Sequence, residues 1–247
     1  MQPDALLDLF ATAAAAQRDA VAALGGAARR ARTARPGQYE LDLVADRAVL
    51  DVLHRAPVAV VSEESGRSGV ADAPVTVVVD PVDGSTNCSR HIPYWGISLA
   101  ALDHDGLVCG LVENTTTGER FRAVRGGGAE VDGASLHVAD TTRLADAMVA
   151  VSGLPHTATW QQYRSLGSIA LALCDVAAGR LDAFLDVLVD QHAPWDYLAG
   201  TLICREAGGG VVDASGRTLE VADPTARRRI LAAATPPLLH ALQDAHA

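Results

Sequence analysis

The chain reads as an α+β protein, with helix and then strands in its first half and helices mixed with strands in its second. Three observations lead there. Residues 4–24 carry Leu6, Leu7, Phe10, Ala14, Val21 and Leu24 at helical spacing, and Gly25-Gly26 supplies a stop. Two short β-branched runs, 58–61 and 75–79, are apolar or nearly so throughout, which suits strands covered on both faces. From residue 168 onward, helical patterns alternate with short strands.

Each element follows from local pattern. After the first helix, the Arg-rich stretch 29–35 runs into Pro36-Gly37 and reads as a loop, and a second helix is expected over 46–54. The runs 95–102 and 107–112 flank Asp103-His104-Asp105-Gly106, a hairpin turn, and 120–124 adds a strand before Gly126-Gly127-Gly128. Residues 168–178 form a helix closed by Gly179. A strand at 182–188 follows, then a helix at 196–207 with Asp196 at its N-cap and a break at Gly208-Gly209-Gly210. A strand at 229–233 and a helix at 236–246 complete the chain. Neither repeat nor linker divides it, so residues 1–247 are expected to form one domain.

Composition limits the function classes. A chain of 247 residues buries roughly 70–75% of its unfolded surface, enough to fold without disulfides or structural metal. The net charge is −10 and all 20 basic residues are Arg. With 4% aromatics, that balance argues against nucleic-acid binding, which needs a basic face and stacking side chains. It also means that an anionic substrate needs local neutralisation. No apolar run approaches the roughly 20 residues of a membrane span, and no basic leader opens the sequence, so a cytoplasmic protein without a membrane partner is expected. Cys88, Cys109, Cys174 and Cys204 lack metal-site spacing and read as reduced, buried thiols.

The chemistry concentrates at the ends of the two apolar strands. One ends in Glu63-Glu64, the other in Asp80-Pro81-Val82-Asp83-Gly84-Ser85-Thr86-Asn87. Asp80 and Asp83 flank a stiff Pro, Gly84 lets backbone approach a ligand, and the amides of Gly84, Ser85 and Thr86 can face an anion. Oxygen-only donors of this kind favour Mg²⁺ over zinc or copper, and the spacing does not fit an EF-hand. Asp-x-x-Asp-Gly alone is equally a tight turn, and Asp196 alone is equally a helix cap. Two neighbouring strands that both end in acids are harder to ascribe to chance.

With these pieces in place, the sequence resembles the inositol monophosphatase family of Mg²⁺-dependent, lithium-sensitive phosphomonoesterases. The residues that carry the likeness are 80–87 (DPVDGSTN), 195–200 with 206–209 (WDYLAG…EAGG), 62–65 (SEES) and 163–171 (YRSLGSIAL), in order and at matching spacing over roughly 40–235. The resemblance implies a layered αβαβα sandwich of the inositol monophosphatase and fructose-1,6-bisphosphatase type, a homodimer, and two to three Mg²⁺ ions. It implies that Glu63, Asp80 and the Val82 carbonyl hold one metal, that Asp80, Asp83 and Asp196 hold a second, and that Glu63 with waters holds the third. Ser85 and Glu63 would activate the attacking water, and the Gly84 and Ser85 amides would cradle the phosphate. Asp83, Thr86 and Asp196 would also border the substrate, Gly167 and Ser168 would line its pocket, and Arg164 would reach its phosphate or a partner subunit. Asp186 falls where the family uses an acid to bind substrate hydroxyls.

Several positions depart from the pattern. Ser85 stands where Thr is commoner, Cys88 where Phe is usual, and Ser62 where Gly precedes the paired acids. In 40–46 the final Asp46 is kept but Leu43 replaces Thr, so Asp46 is either a group behind the metal site or a helix opener. The segment 187–194 looks longer than usual, and His192 within it reads more simply as a solvated loop residue than as a substrate contact. The activity expected is hydrolysis of a small phosphorylated metabolite, myo-inositol 1-phosphate foremost. Histidinol phosphate, fructose 1,6-bisphosphate and 3′-phosphoadenosine 5′-phosphate are alternatives. A catalytically silent metal-binding scaffold is the alternative of another class, disfavoured because Glu63, Asp80, Asp83, Ser85 and Asp196 are all present.

Overall fold

A computed structural model describes residues 1–155 and 159–245. In chain order the elements are α1 (Pro3–Ala22), α2 (Gly26–Arg30), α3 (Glu40–Leu53), β1 (Ala59–Ser62), β2 (Gly66–Gly69), β3 (Thr76–Asp83), α4 (Ser85–Arg90), β4 (Gly96–Asp103), β5 (Gly106–Asn114), β6 (Arg120–Val124), β7 (Gly128–Val131) and β8 (Ala134–Ser135). A 3₁₀ turn at Leu144–Asp146 leads into β9 (Met148–Ser152), β10 (Gln162–Arg164), α5 (Ile169–Ala177), β11 (Ala183–Asp186), α6 (Pro194–Glu206), β12 (Gly210–Asp213), β13 (Ile230–Ala233) and α7 (Pro236–Ala245). The strands form an eight-stranded sheet, β2-β1-β3-β4-β5-β6-β7-β8, and a five-stranded sheet, β10-β9-β11-β13-β12.

The α+β expectation holds, and the layers follow the alternation of side chains along strands. Val77, Val79, Leu99 and Leu111 of the large sheet pack against Leu6, Phe10, Val49 and Leu53 of α1 and α3. Their neighbours Val78, Ala100, Val112 and Phe121 face the other way, onto α5 and α6. Those two helices touch each other, and Phe184 and Ala232 of the small sheet join the same core. Val149, Leu185 and Leu231 then turn outward to Leu238 and Leu242 of α7. The result is the five-layer αβαβα order, and the unbroken apolar runs reflect strands buried on both sides.

Some expectations need correction. The second helix opens at Glu40 rather than near 46, because Asp42 accepts the Tyr39 N–H at 2.8 Å and starts it earlier. The Arg-rich stretch holds the single turn α2, where Arg29 donates to the Val21 carbonyl at 2.8 Å and so satisfies the end of α1. Strands β2, β7–β10 and β12 and the short α4 were not expected. They are brief or polar, and they owe their form to neighbours supplied by distant segments. The final helix runs to Ala245, and His246, expected at its end, lies outside the described residues. Among the described residues no helix is long and apolar enough to cross a membrane.

Candidate active site

The acids meet where β1 and β3 leave the large sheet beside the start of α6. On β1, Val61 faces α5 and α6 while Ser62 turns the other way, to Asp46 of α3, so Glu63 returns to the α6 side. On β3, Val78 and Asp80 share that same side. Strict alternation would send Asp83, three residues on, to the opposite face. The pairing with β4 shifts between Asp80, opposite Ser98, and Asp83, opposite Gly96, so three steps on β3 span two on β4. This bulge turns Asp83 back toward α5 and keeps both acids together.

Asp196 reaches the same point from α6. It occupies the third helical position, not the N-cap expected from sequence, and Oδ2 accepts the Ala193 N–H at 2.7 Å. Glu63, Asp80 and Asp196 each place a carboxylate oxygen so that the three lie within 4.8 Å of one another. Asp80 is 2% exposed and Asp83 8% exposed. Burial first, and then the charges of Glu63 and Asp83, hold the Asp80 carboxyl well above the usual carboxylate range. Glu63 is raised by burial and by Asp196 and Glu64, and Asp83 by burial and by Asp196. Buried carboxylates that oppose one another's ionisation are a donor set that a divalent cation fits.

The remaining groups are held tightly. Ser168 caps α5: its Oγ accepts the Leu171 N–H at 3.3 Å and donates to Asp83 Oδ2 at 2.6 Å. The Ala170 N–H donates to the same Asp83 oxygen at 2.7 Å. Ser85 opens α4 and donates to the Val82 carbonyl at 3.0 Å. Gly84 precedes it at φ 96°, and a Cβ there would lie 3.0 Å from Trp95 Cβ and 3.1 Å from the Gly167 carbonyl. Thr86 is exposed, its Oγ1 3.3 Å from the Tyr39 hydroxyl.

A cavity of about 270 Å³ opens beside the acids, lined among others by Asp83, Ser152, Gly167, Ser168, His192 and Asp196. Arg164 and Asp186, expected as substrate contacts, are not among the residues that line it. Arg164 sits exposed on β10 with its guanidinium on the Tyr163 carbonyl and the Gln162 side chain. Asp186 is 0% exposed, and the cavity wall in front of it is His192.

His192 is itself a correction. Its side chain is 18% exposed and lies between carboxylates, 3.4 Å from Asp186 Oδ2 and 3.5 Å from Asp196 Oδ2. Burial opposes its protonated form, yet Asp196 and Asp186 outweigh burial and raise its pKa. Ser152, at the end of the unexpected β9, has its Oγ 3.2 Å from His192 Nε2 and was missed with its strand. Asp42 was also missed, although a buried acid three residues into a helix signals a cap. Among the described residues its Oδ1 has no hydrogen-bond partner, and burial pushes its carboxyl up to about 6 against the Tyr39 N–H and the Ser85 hydroxyl. Asp46 sits in mid-helix and accepts from the Ser62 and Ser65 hydroxyls, so it opens no helix.

Fold and site together define a hydrolase of phosphoric monoesters. A sequence model of the inositol monophosphatase family matches residues 7–247, and the chain belongs to that family, which is metal-dependent and acts on small phosphorylated substrates. The Nus factor SuhB of Pasteurella multocida is 34% identical over 71% of each chain. An inositol-1-monophosphatase of Mesorhizobium japonicum is 34% identical over 73% of this chain and 74% of its own. Among solved structures, a Pyrococcus horikoshii protein described as similar to inositol-1 monophosphatase superposes with a TM-score of 0.88 at 25% identity, covering 98% of both chains.

Proposed function

We propose that the protein is a Mg²⁺-dependent phosphatase of a small hydroxylated phosphomonoester, myo-inositol 1-phosphate foremost, working as a cytoplasmic homodimer of single-domain subunits without nucleic-acid or membrane partners. The observation that carries the metal reading is the convergence of Glu63, Asp80 and Asp196 within 4.8 Å beside a cavity of substrate size. Glu63, Asp80 and the Val82 carbonyl would hold one ion, and Asp80, Asp83 and Asp196 a second, with Glu63 the protein donor to a third. Bound Mg²⁺ supplies Lewis-acid chemistry, neutralising phosphate charge and making water acidic enough to lose a proton near neutrality.

The chain's own groups supply position and proton transfer. Glu63, whose carboxylate borders the point where the acids converge, would take a proton from the attacking water. The Ser85 hydroxyl, now on the Val82 carbonyl, orients that water. The Gly84 and Ser85 amides cradle the phosphate at a turn where a side chain at residue 84 would intrude. Ser168 and the Ala170 N–H fix Asp83, while Gly167 lines the cavity.

The test is phosphate release from inositol 1-phosphate, histidinol phosphate, fructose 1,6-bisphosphate and 3′-phosphoadenosine 5′-phosphate, each with Mg²⁺ and with EDTA. A preference of a hundredfold or more for inositol 1-phosphate, silenced by EDTA, is expected. Equal turnover in EDTA overturns the metal reading, and preference for another ester overturns the substrate.

A further inference from the structure

The Asp196 carboxylate has two sets of neighbours. Oδ2 takes the Ala193 N–H and faces His192 Nδ1, while the carboxylate as a whole reaches Glu63 and Asp80. On the far side of the imidazole lies Asp186. Its Oδ1 accepts the Leu188 N–H at 2.9 Å, but its Oδ2 is buried without a hydrogen-bond partner among the described residues and lies 3.4 Å from His192 Nε2. A buried carboxylate oxygen left unpartnered is costly, so a group that faces it from 3.4 Å has a strong reason to stay. The His192 backbone is pinned as well. Its N–H donates to the Arg228 carbonyl at 3.3 Å, and the Arg228 N–H returns the bond at 2.8 Å.

Both ring nitrogens therefore face carboxylates, so the imidazole does not aim a free lone pair at the Glu63–Asp80 point. It is not placed as a metal donor. We propose that His192 is a positioning residue: backed by Asp186 and Ser152, it clamps Asp196 in the orientation that presents its carboxylate to the cation. This inference rests on the reading of Asp196 as a Mg²⁺ donor. Donors behind metal-binding carboxylates typically change metal affinity by about 10–100-fold when removed, because the ligand loses its preferred orientation.

The test is calorimetric titration of Mg²⁺ into the full chain, alongside circular dichroism and kinetics. His192→Ala is expected to weaken Mg²⁺ binding by about 10–100-fold. His192→Asn, which keeps a donor near the Nδ1 position, should recover most of it, and Asp186→Asn should give a smaller loss. Wild-type Mg²⁺ affinity in His192→Ala, with only KM for the phosphomonoester raised, makes His192 a cavity wall and overturns the clamp. Equal affinity in Asp186→Asn removes Asp186 from the chain of contacts. Should His192→Ala fail to fold, His192→Asn and Asp186→Asn carry the same comparison. Absence of Mg²⁺ binding by the wild-type protein is a separate result, because it sinks the metal reading itself and the clamp with it.

Discussion

Replacing Ser168 by Ala separates two contributions that one hydroxyl makes. The first is the cap of α5, where Oγ accepts the Leu171 N–H at 3.3 Å, worth about 1 kcal/mol. The second is the bond donated to Asp83 Oδ2 at 2.6 Å, and Asp83 is only 8% exposed. A buried carboxylate that loses one of two donors costs roughly 1–3 kcal/mol, leaving only the Ala170 N–H at 2.7 Å. The expected total for Ser168→Ala is about 2–4 kcal/mol in EDTA, or roughly 5–15 °C in Tm for a chain of this size. In the Asp83→Asn background the charge-assisted part is removed, so the same substitution should cost only about 1 kcal/mol. Urea unfolding of the four proteins at pH 8 completes the cycle. Equal costs in the two backgrounds would refute the reasoning, since the hydroxyl would then act only as a cap. Ser168→Thr, which keeps the hydroxyl, should restore most of the stability.

Further outcomes follow from other sites. Asp42 carries a proton up to about pH 6 when folded but loses it near 4 when unfolded, so wild-type stability should fall as pH rises through that window. Asp42→Asn keeps the acceptor for Tyr39 and should stabilise by roughly 3 kcal/mol at pH 7.5 and by almost nothing at pH 3.5; destabilisation at pH 7.5 would count against it. Asp213 behaves oppositely: burial would raise its carboxyl, but Arg217 and the Arg229 N–H outweigh burial and lower it. Its stabilisation is present above about pH 4, the unfolded value, and is lost as pH falls through the folded one. Asp213→Asn should therefore cost roughly 1–3 kcal/mol at pH 7 and progressively less as the pH is lowered below about 4, checked by denaturant unfolding across that range. Gly84→Ala places a methyl against Trp95 at φ 96°, and should cost roughly 1–3 kcal/mol and lower phosphate release with it. Unchanged turnover in that variant would remove the turn from phosphate binding.

Much of the molecule is written locally. The helical spacing of Leu6, Phe10 and Val21 specifies α1, and the unbroken run before Asp80 specifies a strand buried on both faces, because burial acts on each side chain through its period. Residues 80–87 carry two acids, a stiff Pro and a permissive Gly in one short stretch, which is why the phosphatase chemistry is legible without neighbours. What period alone cannot convey is a shift in register. Whether Asp83 joins Asp80 depends on the bulge against Ser98 and Gly96, and that bulge exists only once β4 is paired. The short strands of the small sheet, and Ser152 with them, likewise form through partners far along the chain. His192 shows the difference most plainly. Its sequence neighbours, Gln191 and Ala193, give it no chemistry, whereas folding sets it between Asp186 and Asp196. Charge–charge contact depends on distance in space, and only the tertiary structure fixes that distance.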